Sequence, residues 1–260
     1  MLQLLASVCR YETFLFGPGS KYRLYFLLDL YSEMKDRETK TGLSLLPSLL
    51  SVFQSAPAVW TINLSERKTS ILLEVLRLQP EKKPVELTGC SQEESEVRRF
   101  LQCLPYISQL SFDPQRSDLP KQIRFLVNLF CAAAEREQQT GEKMLELLAS
   151  VCRYKTFPLG NRFMNHEAYK YQSDFLLDLY SQMKDCETKT GLSLLPSLQS
   201  VFQSAPAVWT IDLSERKTSI LLEVLRLQPE KKPVELTGCS QEESEVRSFL
   251  QCLPYISQLR

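Results

Sequence analysis

The chain has 260 residues, 43% hydrophobic and 24% charged, which is enough to bury a large core and too apolar for disorder. Lysine plus arginine equals aspartate plus glutamate at 31 each, so no net field steers the chain toward nucleic acid or an anionic membrane. There is no apolar run long enough to span a bilayer, and MLQLLASVCRYETF lacks the features of a secretory signal, so the expected location is cytoplasmic.

In chain order, LQLLASVCRY at 2–11 leads to GPGSK at 17–21, which lacks the glycine spacing of a phosphate-binding loop and reads as a turn. Ile62 and Leu64 then alternate with polar residues as a half-buried strand does, and Ser65 can cap a helix carrying Ile71, Leu72, Val75 and Leu76. Val85 and Leu87 form a second strand. Ser91 with Glu94 makes a capping box, ahead of an apolar face of Val97, Phe100, Leu101 and Leu104. Leu110 and Phe112 give a third strand, and Asp113 or Asp118 can cap a helix carrying Ile123, Leu126, Val127 and Phe130. Pro80, Pro84 and Pro105 stop the helices. The spacing of 23 residues from Leu64 to Leu87 and 25 from Leu87 to Phe112 is solenoid-like.

Beyond Phe112 the pattern predicts four helical segments, roughly 119–138, 142–152, 173–185 and 191–203. The pairs are broken at Thr140-Gly141 and Thr190-Gly191, as helix–turn–helix insertions would be. YKTF at 154–157 is expected to be a short strand.

Most of this text is written twice. Residues 26–110 align with 175–259 without a gap, and five of 85 positions differ: Glu33/Gln182, Arg37/Cys186, Leu50/Gln199, Asn63/Asp212 and Arg99/Ser248. LQLLASVCRY matches LELLASVCRY at 145–154 in a different register, so the length change falls in the insert at 155–174. The expected organisation is one solenoid over 1–260, with copy one at 1–143 and copy two at 144–260, both ends lying within a longer array. Uncapped repeat ends are expected to be sticky and to permit end-to-end self-association.

Eight cysteines are scattered without a CxxC pair and read as reduced thiols. Cys9/Cys152, Cys90/Cys239 and Cys103/Cys252 match between copies and are expected to fill packing slots; Cys131 and Cys186 have no matching cysteine. His166 is the only histidine, too little for a Cys–His nucleophile or a histidine-rich zinc site. Glu93, Glu94 and Glu96 sit where a helix dipole favours acids, EKK at 81–83 has no interleaved aromatics, and Trp60 and Trp209 are expected to pack. No catalytic group, metal or cofactor is expected.

Val59-Ile62-Leu64, Ile107-Leu110-Phe112 and Val85-x-Leu87-x-x-Cys90 resemble parts of the leucine-rich-repeat pattern, with Arg67 and Gln115 where the other units would carry asparagine or cysteine. The wording SVFQSAPAVWTIDLSERKTSILLEVLRLQPEKKPVELTGCSQEESEVRSFLQCLPYISQL resembles tandem segments of large fish proteins similar to nucleotide-binding, leucine-rich-repeat (NOD-like) innate immune receptors. The resemblance implies an α/β fold, an irregular leucine-rich-repeat-like horseshoe, acting as a sensing surface in a larger cytosolic protein. If the strands line its concave face, Thr61, Asn63, Glu86, Thr88, Gln109, Ser111, Thr210, Asp212, Glu235 and Thr237 point outward to a protein partner. The expected function is non-enzymatic protein–protein recognition. The alternative is a structural spacer without a dedicated ligand.

Overall fold

The structure is a computed structural model. It describes residues 21–44, 46–54, 58–65, 69–114, 118–160, 166–214 and 218–260. The block at 2–11 with Cys9, the GPGS of residues 17–20, Arg67, Gln115 and part of the 155–174 insert lie outside the described residues, as does the side chain of His166.

The chain divides into two compact units, Met1–Leu110 and Ser111–Arg260. In chain order the first carries α1 (Lys21–Thr41), α2 (Leu46–Gln54), β1 (Trp60–Asn63), α3 (Thr69–Arg77), β2 (Lys83–Gly89), α4 (Glu94–Leu101) and most of β3 (Ile107–Phe112). The second carries α5 (Leu119–Thr140), α6 (Met144–Cys152), α7 (His166–Thr190), α8 (Leu195–Ser204), β4 (Trp209–Asp212), α9 (Thr218–Arg226), β5 (Lys232–Gly238), α10 (Glu243–Leu250) and β6 (Ile256–Leu259). The described residues therefore form an α/β protein with two small parallel sheets, ordered β1-β2-β3 and β4-β5-β6, and neither sheet closes into a barrel.

Within each sheet the period of two decides what is buried. Trp60 and Ile62 lie opposite Val85 and Leu87, and all four are buried, whereas Thr61 and Asn63 are half-buried. The helix between paired strands covers this apolar face with Leu72, Val75 and Leu76 in copy one, and with Leu221, Val224 and Leu225 in copy two. Trp60 and Trp209 are buried outright.

Asn63 lies opposite Gly89 across a register shift, and Asp212 opposite Gly238 in the same way. A Cβ on Gly89 would stand 2.0 Å from Asn63 Oδ1. That oxygen accepts the Ser65 N–H at 3.0 Å and the Ser65 hydroxyl at 2.5 Å, a local turn that ends β1.

The helical hairpins share one construction. Glu38-Thr39-Lys40-Thr41-Gly42, Glu137-Gln138-Gln139-Thr140-Gly141 and Glu187-Thr188-Lys189-Thr190-Gly191 all read Glu-x-x-Thr-Gly. Gly42, Gly141 and Gly191 take φ of 70°, 73° and 72°, a left-handed conformation that favours glycine. Each donates its N–H to the carbonyl of Glu38, Glu137 or Glu187 at 2.8 Å. The same glutamate then reaches forward: Glu38 accepts the N–H of Leu46 at 2.7 Å, Glu137 that of Leu145 at 3.0 Å and Glu187 that of Leu195 at 2.7 Å. One residue thus ends the first helix and caps the second. The pair α5–α6 is a third, more diverged version of the hairpin that appears as α1–α2 and α7–α8.

β1 and β4 are sheet edges, and a helix side chain covers a backbone donor on each. The Asn63 N–H donates to Tyr25 Oη of α1 at 3.1 Å, and the Thr210 N–H donates to Ser173 Oγ of α7 at 2.9 Å.

Three local expectations are corrected. Tyr154–Phe157 is a run of turns rather than a strand: Phe157 N donates to the Tyr154 carbonyl at 3.1 Å, and the buried Phe157 ring packs edge-on to Phe175. α4 starts at Glu94, so Ser91 lies too early to cap it, and its hydroxyl instead accepts the Glu93 N–H at 3.2 Å. Asp118 occupies the N-cap of α5 without capping it through its side chain, and pairs with Lys121 at 3.3 Å.

Candidate partner-binding surface

The ten strand residues expected to face a partner do not form one open strip. Glu86, Ser111 and Thr210 are buried, which corrects their expected exposure; Thr61, Asn63, Thr88, Gln109, Asp212 and Glu235 are half-buried, and Thr237 alone of the ten is exposed. The physical reason in copy one is a cross-strand bond: Thr61 Oγ1 donates to Glu86 Oε2 at 2.9 Å, so the carboxylate is satisfied within the sheet. In copy two, Thr210 lies under α7, and its Oγ1 is buried without a hydrogen-bond partner.

Carboxylates that look available in sequence are tied up by neighbouring helices. Glu96, from the acidic first turn of α4, accepts the Thr69 N–H at the start of α3 at 2.8 Å, and Glu245 does the same for Thr218 at 3.0 Å. Burial opposes ionisation of Glu96, but the hydrogen bonds from Thr69 and the Arg99 guanidinium outweigh it and hold the carboxyl below the usual range. Glu74 of α3 accepts Tyr31 Oη at 2.9 Å and Lys35 Nζ at 2.5 Å from α1; Glu223 of α9 accepts Tyr180 and Lys184 of α7 at 3.0 Å and 2.7 Å. Glu223 is held low chiefly by the Lys184 hydrogen bond, while burial followed by the glutamate pushes Tyr31 and Tyr180 up to about 12. These carboxylates stay ionised, the reverse of what a general acid requires.

The strongest candidate for a contact surface is apolar. In copy one Val97, Leu101, Leu104 and Leu110 are all buried, yet the same residues of copy two, Val246, Leu250, Leu253 and Leu259, are 48%, 58%, 43% and 46% exposed. They come from α10, the turn after it and β6, so they form one end of the second sheet unit. Contiguous exposed leucine and valine of this kind are uncommon on a surface that meets only water.

Cys103, Cys152 and Cys252 fill packing slots as expected, whereas Cys239 is exposed and Cys90 only partly covered. Among the described residues no group of three or more His, Cys, Asp or Glu side chains could hold a metal ion. No described helix is long and apolar enough to cross a membrane. No protein-family profile matches the chain, and neither a curated protein nor a solved structure does.

Two features escaped the sequence reading. The Glu-x-x-Thr-Gly phrase recurs at a spacing unrelated to the large duplication, and a search for short phrases around Thr-Gly would have found it. The Tyr31–Lys35–Glu74 cluster left no such signal, because its members are 39 and 43 residues apart.

Proposed function

We propose that this chain is a non-enzymatic repeat module that recognises protein, and that its first target is another repeat unit of its own kind. The observation that carries the reading is the apolar end made by Val246, Leu250, Leu253 and Leu259, four side chains that the twin sequence in copy one keeps covered. In this reading the strand–helix units stack as an irregular leucine-rich-repeat-like solenoid, within a cytosolic protein of the NOD-like innate-immune receptor kind that the sequence resembles. Thr237 and the half-buried Asp212 and Glu235 are the strand-face residues of copy two left to tune the contact.

Sedimentation of the full chain over a micromolar concentration series tests this. Reversible self-association is expected, abolished by Leu250→Glu with Leu253→Glu while the circular dichroism spectrum is kept. A wild-type chain that stays monomeric throughout, or a double variant that associates as before, overturns the homotypic contact.

One observation favours the spacer reading. Of the five positions that differ between copies, Asn63/Asp212 alone lies on the strand face, so the duplication has lengthened the array more than it has diversified that surface. That reading gains if self-association persists when Glu235 and Thr237 are both replaced by lysine.

A further inference from the structure

Cys131 of α5 and Cys186 of α7 face each other with their sulfurs 2.8 Å apart, and both side chains are partly open to solvent. Cys103, Cys152 and Cys252, by contrast, are buried. A disulfide needs sulfurs at about 2.05 Å, so the pair lacks less than about 1 Å of approach. The two helices pack against each other within Ser111–Arg260, so the approach requires no rearrangement of the chain.

The duplication gives an independent reason to single out this pair. At the equivalent site of copy one, Arg37 Nε donates to Glu33 Oε1 at 2.8 Å, an exposed ion pair one helical turn apart. Copy two carries Gln182 and Cys186 at these positions, so two of only five differences remove both partners of one bond and leave a thiol facing Cys131.

We infer that Cys131 and Cys186 form a reversible disulfide in response to hydroperoxides, a modification site that clamps α5 to α7. Burial and then the neighbouring Cys186 push the Cys131 thiol up to about 12, so Cys131 stays protonated at neutral pH and suits the resolving role. The Cys186 sulfur attacks the peroxide, breaking the O–O bond; it becomes a sulfenic acid and, for hydrogen peroxide, the released hydroxide leaves as water. The Cys131 sulfur then attacks the sulfenic sulfur, the S–O bond breaks, and the thiol proton departs with that oxygen as a second water. The pair has lost two electrons and two protons to the peroxide. A small dithiol reverses the change by exchange and is itself oxidised to a disulfide.

The test uses the full chain, reduced and then exposed to stoichiometric hydrogen peroxide, with free thiols counted by maleimide labelling and peptides mapped by mass spectrometry. The expected result is the loss of two labelled thiols, a mass decrease of about 2 Da, a Cys131–Cys186 crosslinked peptide and full reversal by dithiothreitol. Cys186→Arg restores the residue of copy one, and in that variant Cys131 should remain labelled under the same dose; Cys131→Ser should leave Cys186 as a trapped sulfenic acid. If Cys131 and Cys186 both stay labelled while another thiol reacts, or if the crosslink joins other cysteines, the inference is overturned.

Discussion

The carboxylate of Glu96 accepts the backbone N–H of Thr69 at 2.8 Å, so a residue in the first turn of α4 closes the first turn of α3, 27 positions earlier in the chain. Glu245 holds Thr218 in the same way, and there the Thr218 hydroxyl also donates to it at 2.5 Å. The acidic run EESE is therefore a device for fastening neighbouring helices.

Removing this fastening should behave like loss of a helix cap. Glu96→Ala is expected to lower stability by about 0.5–2 kcal/mol in urea unfolding, and Glu96→Gln by less, because the amide oxygen can still accept. Equal losses for the two variants would show that the hydrogen bond contributes nothing.

The same group gives an acid limit with a definite sign. Burial resists ionisation of Glu74 and Glu96, yet hydrogen bonds from Lys35, Tyr31 and Thr69 hold both low, and the Lys184 bond does so for Glu223. Their folded values lie below the ordinary glutamate value near 4.5, so their contribution is complete above that pH and is lost as pH falls through the lower folded values. Urea midpoints should therefore drop between pH 6 and pH 3, and a variant with all three changed to glutamine should show a shallower drop.

Leu101 and Leu250 are the same residue in the same phrase with opposite surroundings, 2% and 58% exposed. Leu101→Ala should cost about 2–5 kcal/mol in equilibrium unfolding, whereas Leu250→Ala should stay within about 0.5 kcal/mol at concentrations where the chain is monomeric. Similar costs at the two sites would mean that the second is covered in solution.

Tyr31 and Glu74 can be separated by a double-mutant cycle of Tyr31→Phe and Glu74→Gln, with an expected coupling of about 0.5–2 kcal/mol. Because the folded tyrosine is raised to about 12, its share of stability is fully present below the ordinary value of 10.0 and disappears as pH rises through the folded value. The coupling measured at pH 7 should accordingly be intact at pH 9.

Gly89→Ala places a Cβ 2.0 Å from Asn63 Oδ1 and should displace the carboxamide from Ser65, costing about 1–3 kcal/mol. In an Asn63→Ala background the same change should cost clearly less. A penalty that does not depend on residue 63 would place the strain in the backbone.

The helices of α5 to α8 were readable because their apolar residues repeat with the helical period and Gly141 and Gly191 mark their breaks, although α7 begins at His166, seven residues before its clear periodicity. The strands were readable from alternation at Ile62, Val85 and Leu87. Alternation separates two faces of a strand but says nothing of what lies over the second one. Glu86 and Thr210 therefore looked solvent-facing, although Thr61 satisfies the first and α7 covers the second. Tyr154 to Phe157 failed for a related reason: β-prone residues there serve a turn that delivers Phe157 to the core. The open end at Leu250 could not be seen at all, since a phrase repeated letter for letter carries no record of its environment.

Tandem copies this similar face a sorting problem during folding, because β1 and β4 could each accept the other's neighbours. The two edge contacts described above differ where the strands do not: a tyrosine from α1 meets the Asn63 N–H, and a serine from α7 meets the Thr210 N–H. Tyr25 and Ser173 both lie just upstream of the stretch in which the copies coincide. Each strand is thus addressed by the helix that precedes it, and the unlike lead-in sequences act as labels that keep near-twin segments from exchanging places.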